Sequence, residues 1–167
     1  MLISNEWLKD YVNVDQSVQA LAERITRTGI EVDDIIDYTK DIKNLVVGHV
    51  LSKTPHPNAD KLNICQVDLG EEEPVQIVCG APNVDEGQHV IVAKVGGRLP
   101  GGIKIKRAKL RGERSEGMIC SLQEIGISSH VTPKNFESGI YVFPEAVKPG
   151  TDAVSYTHLR AHETEAD

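Results

Sequence analysis

Apolar positions in this chain follow two rhythms, and the change falls close to residue 40. In the first stretch Trp7, Leu8, Tyr11 and Val12 recur at helical spacing, as one face of a short amphipathic helix requires. Met1 to Ser4, ahead of it, fits a short strand. Asp15 or Ser17 can cap a second helix whose apolar face is Val18, Leu21, Ala22 and Ile25. Gly29 marks its end, since glycine enters the left-handed conformation at low cost, and Val32 to Tyr38 then reads as extended. So short a stretch buries little core by itself. Residues 1–38 therefore read as the N-terminal part of a split mixed α/β domain that needs another segment to pack against.

From residue 42 to about 150 the apolar runs have strand length: LVVGHVLS, LNICQVDL, PVQIVCG, HVIVAKV and GIYVF. Turn-rich segments separate them: HPNAD, GEEEP, APNVDEG, GGRLPGG and PKNFESG. Several short strands with such punctuation predict a small barrel, of the size of an OB-type barrel with insertions. The fold class expected is α+β, an OB-type β-barrel over residues 39–153 preceded by the small α/β fragment. In I-K-I-K, Ile103 and Ile105 alternate with Lys104 and Lys106, which predicts a strand with cations on one face.

Composition adds bounds. The 167 residues are 40% hydrophobic and 26% charged, ordinary globular values, and only 4% aromatic, so the core must rest on Val, Ile and Leu. No apolar run approaches a membrane span, and MLISNEWLKDYV lacks the basic-then-apolar order of a secretory signal. The expectation is a cytoplasmic protein with no membrane partner. Cys65, Cys79 and Cys120 form no C-x-x-C pair and sit in apolar runs, so they read as core residues and no metal site is expected.

The net charge of -7 argues at first against a nucleic-acid partner. It hides a segregated pattern. Lys94, Arg98, Lys104, Lys106, Arg107, Lys109, Arg111 and Arg114 fall together, against Glu113 alone, while acids gather at Glu31–Asp37 and Glu71–Glu73. Screening confines distant acids to a Debye length of roughly 8 Å, so a local stripe governs phosphate binding more than total charge does. On this feature alone, RNA contact and a merely solvated basic face stand level.

Three blocks narrow the choice. His56-Pro57-Asn58-Ala59-Asp60-Lys61-Leu62 resembles the H-P-x-A-D-K-L signature of the tRNA-binding domain shared by several synthetases and tRNA-binding proteins. Val78-Cys79-Gly80-Ala81-Pro82-Asn83 and the run from Arg111 to Ser121 (RGERSEGMICS) resemble its other two blocks, in order and at suitable separations. The opening S-N-E-W-L-K-D-Y-V, followed by R-T-G-I-E-V, resembles phenylalanyl-tRNA synthetase β subunits in particular. That resemblance implies an α2β2 ligase that charges tRNA with phenylalanine using ATP and magnesium. Within it this stretch is an auxiliary, non-catalytic tRNA-binding module, partnered by the α subunit and the remaining β-subunit domains.

Residue by residue, the cations Lys61, Lys104, Lys106, Arg107, Lys109, Arg111 and Arg114 are the expected tRNA contacts, because Lys and Arg neutralise phosphate without reading sequence. His56, Pro57, Asp60, Asn83, Ser115 and Gly117 are loop-motif residues; turn-making and direct RNA contact both remain open for them. Phe136, Tyr141 and Phe143 are available for base stacking, with packing the competing use. No catalytic residue and no cofactor are expected in the chain itself: no phosphate loop, nucleophile–base pair or H-E-x-x-H is present.

Two other readings fit the same residues: a free-standing structure-selective tRNA-binding protein, and an interdomain docking barrel with little RNA contact. After Ala153 the resemblance ends. Residues 154–167, VSYTHLRAHETEAD, read as translated adapter sequence after a truncated reading frame, with His158 and His162 four apart but no metal motif.

Overall fold

The computed structural model describes residues 3, 5–35, 42–126, 134 and 138–154, without the side chains of Glu6 and Trp7. The chain divides into two compact units, residues 1–38 and 39–167. In the first, helix α1 spans Asn5–Tyr11 and α2 spans Val18–Arg27. Of the two candidate caps, Ser17 acts, its Oγ accepting from the Ala20 N–H at 3.3 Å. The chain leaves α2 through Thr28, and Gly29 follows at φ +100. No residue of α2 is buried, and Ile3, Tyr11, Val12, Ile30 and Ile35 are exposed. Ile3 carries no regular structure; the rest of the strand expected over Met1–Ser4 lies outside the described residues, as does the end of the Val32–Tyr38 run.

The second unit is antiparallel β structure. Its strands are β1 Lys43–Pro55, β2 Asn63–Asp68, β3 Val75–Cys79, β4 His89–Leu99, β5 Ile103–Lys104, β6 Ala108–Leu110, β7 Glu113–Ser115 and β8 Gly117–Ile119. Six form a sheet in the order β3-β2-β1-β4-β5, with β8 also on β4, while β6 and β7 make a hairpin of their own. Gln76 on β3 receives the Glu116 N–H at 2.8 Å, and the Val78 N–H donates to Ser115 Oγ at 3.1 Å. The β7–β8 junction thus covers the free edge of β3, and the sheet becomes a nearly closed barrel of OB type. Edge coverage of this kind satisfies backbone groups that an open edge would leave to other chains.

Alternation along β4 explains the unbroken apolar run HVIVA. Val90 and Val92 belong to a core with Val50, Cys65, Val67, Ile77 and Ile119. Ile91 and Ala93 point the other way, into a core with Leu45, Val47, Leu122, Phe143 and Val147. A strand buried on both faces needs no polar positions. All three cysteines are buried and free.

Two expected strands came out differently. I-K-I-K supplies only the two-residue β5, and Ile103 is 55% exposed rather than turned to a core. Of its two isoleucines only Ile105 is buried, its N–H donating to Gly97 O at 2.9 Å. GIYVF forms a single bridge, Val142 to Val90, with Ile140 and Phe143 buried. The tail from residue 155 onward, including the His158/His162 pair, lies outside the described residues.

Candidate nucleic-acid interface

The three sequence blocks, far apart in the chain, meet around the β6–β7 hairpin. Its turn, Arg111-Gly112, has φ of +50 and +97, and positive φ at both central residues is the signature of the tight turn whose twist matches a β-hairpin. The first block braces this turn. His56, only 5% exposed, has Nε2 2.9 Å from the Leu110 carbonyl, while its Nδ1 accepts from the Asn58 N–H at 2.9 Å. A ring with its proton on Nε2 satisfies both bonds. Asn58 in turn donates from Nδ2 to the Arg111 carbonyl at 3.3 Å.

The second and third blocks join through Ser115. Its buried hydroxyl accepts from Val78 N–H at 3.1 Å and donates to Gly117 O at 3.1 Å. Gly117, at φ +146, lies so close to β4 that a Cβ would stand 2.9 Å from the Ala93 carbonyl oxygen. Asn83 grips the backbone of Ile140, donating to its carbonyl at 2.8 Å and accepting from its N–H at 3.0 Å. His56, Asn83, Ser115 and Gly117 are thereby committed to the scaffold. Pro57 and Asp60 sit exposed in the loop that His56 anchors, with Lys61 exposed at its end.

The cations divide differently from the sequence stripe. Lys104 lies on β5 of the main sheet, whereas Lys109 and Arg114 lie on the separate hairpin. Lys94 is paired with Glu71, and the Glu116 carboxylate is shared by Arg107 Nε at 3.4 Å and Arg114 Nη1 at 4.0 Å. Both arginine side chains remain about three-quarters exposed, 73% and 75%, so these contacts hold them loosely. Glu113 is engaged by Gln76 Nε2 at 3.4 Å. Lys61, Lys104, Lys106, Lys109 and Arg111 are exposed and have no ion-pair partner among the described residues. Around the turn this leaves an exposed positive surface on a backbone held from beneath. Tyr141 and Phe143, the described stacking candidates, contact each other edge to face at 5.1 Å, with Phe143 buried, so packing claims them; Phe136 lies outside the described residues.

A family model described as "Putative tRNA binding domain" matches residues 45–152, which is the β unit just built. The chain belongs to this tRNA-binding-domain family. Over all 167 residues it is 92% identical to the phenylalanine–tRNA ligase β subunit of Staphylococcus epidermidis, of which it covers 21%. It is 82% identical over 159 residues, 95% of the chain, to that of Staphylococcus aureus, covering 20%. The chain thus spans about a fifth of the length of the curated relatives it matches, and the likeness expected from its opening residues is found. Among solved structures, a MetRS related protein from Pyrococcus horikoshii is 22% identical with a TM-score of 0.45, covering 73% of this chain and 97% of that one.

Within this tRNA-binding domain, sequence reasoning passed over Gln76. Its Nε2 donates to the Arg114 carbonyl at 2.9 Å and so ties the hairpin to the barrel wall. Nothing in P-V-Q-I-V signals such a bond, because the partner is a backbone atom on a strand defined only by folding. Glu116 was also missed; it lies just past the basic run, and only the fold brings its carboxylate to both Arg107 and Arg114.

Proposed function

We propose that this domain is the auxiliary tRNA-binding module of a phenylalanine–tRNA ligase β subunit, and that it grips RNA backbone through the β6–β7 hairpin. The observation that carries the reading is a set of exposed cations: Lys109, Arg111 and the loosely held Arg114 on a hairpin braced by His56 and Asn58, Lys106 and Arg107 leading into it, and Lys61 at the end of the bracing loop. Cations held by a stiff backbone lose little freedom on binding phosphate, and guanidinium offers it a bidentate donor set. Contacts from Lys and Arg to phosphate position RNA without reading sequence, so this reading expects binding that is selective for RNA shape and tolerant of sequence.

In this reading tRNA is the partner of the domain, and the α subunit and remaining β-subunit segments are its protein partners in a cytoplasmic α2β2 ligase. Aminoacylation, with its ATP and magnesium, belongs to that assembly. Among the described residues no three His, Cys, Asp or Glu side chains converge as a metal site requires. No helix is long and apolar enough to cross a membrane.

The test is fluorescence anisotropy of labelled tRNA titrated with the chain and with its Lys106→Gln/Lys109→Gln/Arg111→Gln variant. The variant is expected to bind about tenfold or more weakly in low salt. Equal affinity contradicts the hairpin assignment. No binding by the unaltered chain favours an interdomain docking barrel instead.

A further inference from the structure

A second group of cations stands on the six-stranded sheet, apart from the hairpin. Lys43 on β1 pairs directly with Arg98 on β4, and Arg98 pairs in turn with Lys104 on β5. Directly opposed residues of antiparallel neighbours point to the same face, and strands lie roughly 4.8 Å apart. Three cations therefore form a row across three strands. All are exposed, and none has an ion-pair partner among the described residues.

An irregularity in the ladder creates this row. Between the pairs Leu45↔Ala93 and Lys43↔Arg98, β1 contributes Asn44 alone while β4 contributes Lys94 through Gly97. An unbroken register would set Lys43 against Val95; the bulge sets it against Arg98. Asn44 takes φ +56 to allow this, a conformation uncommon for residues other than glycine. Bulges of this kind re-aim side chains. The fold here sustains positive φ and adjacent like charges together, both unfavourable in the free protein. Bound anion removes the second penalty.

Beside the row the surface is concave. Arg98 and Lys104 line a cleft with Gly101 and Gly102 of the β4–β5 turn. A Cβ at either glycine would meet nothing within 4 Å, so the backbone there is open to a ligand. A single phosphate is best held by donors converging from several sides. A row of cations, two of them bordering an open cleft, suits an extended polyanion instead.

We propose that Lys43, Arg98 and Lys104 form a second backbone-contact row for RNA, so that the domain holds its tRNA at two places, the hairpin and the bulged sheet edge. This rests on the tRNA-binding reading above and extends it to a surface that includes Lys43, outside all three motif blocks. Each contact on the row releases counterions, and removing it lowers the steepness of log K against log salt by roughly 0.7–0.9.

The experiment compares tRNA titrations across a salt series for the unaltered chain, the Lys43→Gln/Arg98→Gln/Lys104→Gln variant, and the hairpin variant. The row variant is expected to bind more weakly with a slope lower by about two, while a further hairpin substitution lowers it again. A row variant with unchanged affinity and slope, where the hairpin variant is impaired, overturns the row and leaves the tRNA-binding reading intact. No binding by the unaltered chain overturns both. Urea unfolding in low salt serves as the folding control: the row variant is expected to be at least as stable as the unaltered chain, because like-charge repulsion is relieved. A lower midpoint overturns the claim of an unpaired row, and Arg98→Gln alone then decides whether RNA is contacted there, by the same slope.

Discussion

Lys109 on β6 stands directly opposite Arg114 on β7, so two cations share one cross-strand site on the hairpin. The nearest acid, Glu116, reaches Arg114 only at 4.0 Å and is shared with Arg107. Like charges facing one another across a ladder are destabilising by a few tenths to about 1 kcal/mol. Lys109→Gln is therefore expected to raise the urea midpoint slightly in low salt, and the gain should vanish in high salt, where surface charges are screened. The same substitution should weaken tRNA binding. A lowered midpoint would mean that the pair is held by something other than Glu116.

His56 carries a different kind of weight. Replacing it with Ala strands the Leu110 carbonyl and the Asn58 N–H, both of which it now satisfies. Leaving such groups unpaired costs about 1–3 kcal/mol. His56→Ala should lower the urea midpoint without changing the slope of the unfolding transition, and should reduce tRNA affinity with every cation still in place. Undiminished stability would show that the loop does not brace the turn.

Acid sensitivity should centre on His89, which stacks on a second imidazole. His49 and His89 face each other on β1 and β4, with ring centroids 4.5 Å apart and planes 2° from parallel. Burial chiefly, and the neighbouring His49 secondarily, hold the His89 pKa below the ordinary 6.5. A depressed value means that the unfolded chain takes up this proton first. The contribution to stability is thus complete above pH 6.5 and declines as pH falls below it toward the folded value. Asp68 stands opposite His49 on β2. Melting temperatures at pH 7.5 and 5.5 should differ less for His89→Gln than for the unaltered chain; equal differences would remove His89 from the account.

The thiols should be inert in the folded chain. Burial pushes Cys65 up to about 11 and Cys120 up to about 12, and raises Cys79 as well. The thiolate is the reactive form, so at pH 8 a thiol reagent should label none of them until urea opens the barrel. Rapid labelling without denaturant would place a cysteine at the surface.

Much of this architecture was legible in residue order. The runs around Val47, Cys65, Ile77 and Ile91 became β1 to β4 because their alternation or continuity matched a sheet buried on one or both faces. Ser17 and Gly29 bounded α2 through local backbone chemistry, which needs no tertiary partner. Ile103 and Tyr141 misled because their runs pair over only two residues or a single bridge, and periodicity carries no information about how far a ladder extends. The basic stripe was visible as composition but not as a surface. Folding sent Lys104 to one sheet and Lys109 to another, gave Lys94 to Glu71, and brought Lys43 alongside Arg98 across a bulge. The three motif blocks do meet around one hairpin, where His56, Asn83 and Ser115 hold backbone.

The central claim is that this domain binds tRNA through exposed cations on a braced scaffold, and the most direct measurement is the affinity of the unaltered chain for tRNA across a salt series. Six to nine phosphate contacts predict log K falling linearly with log salt at a slope of roughly −4 to −8. A flat dependence, or no binding even at the lowest salt, would contradict it.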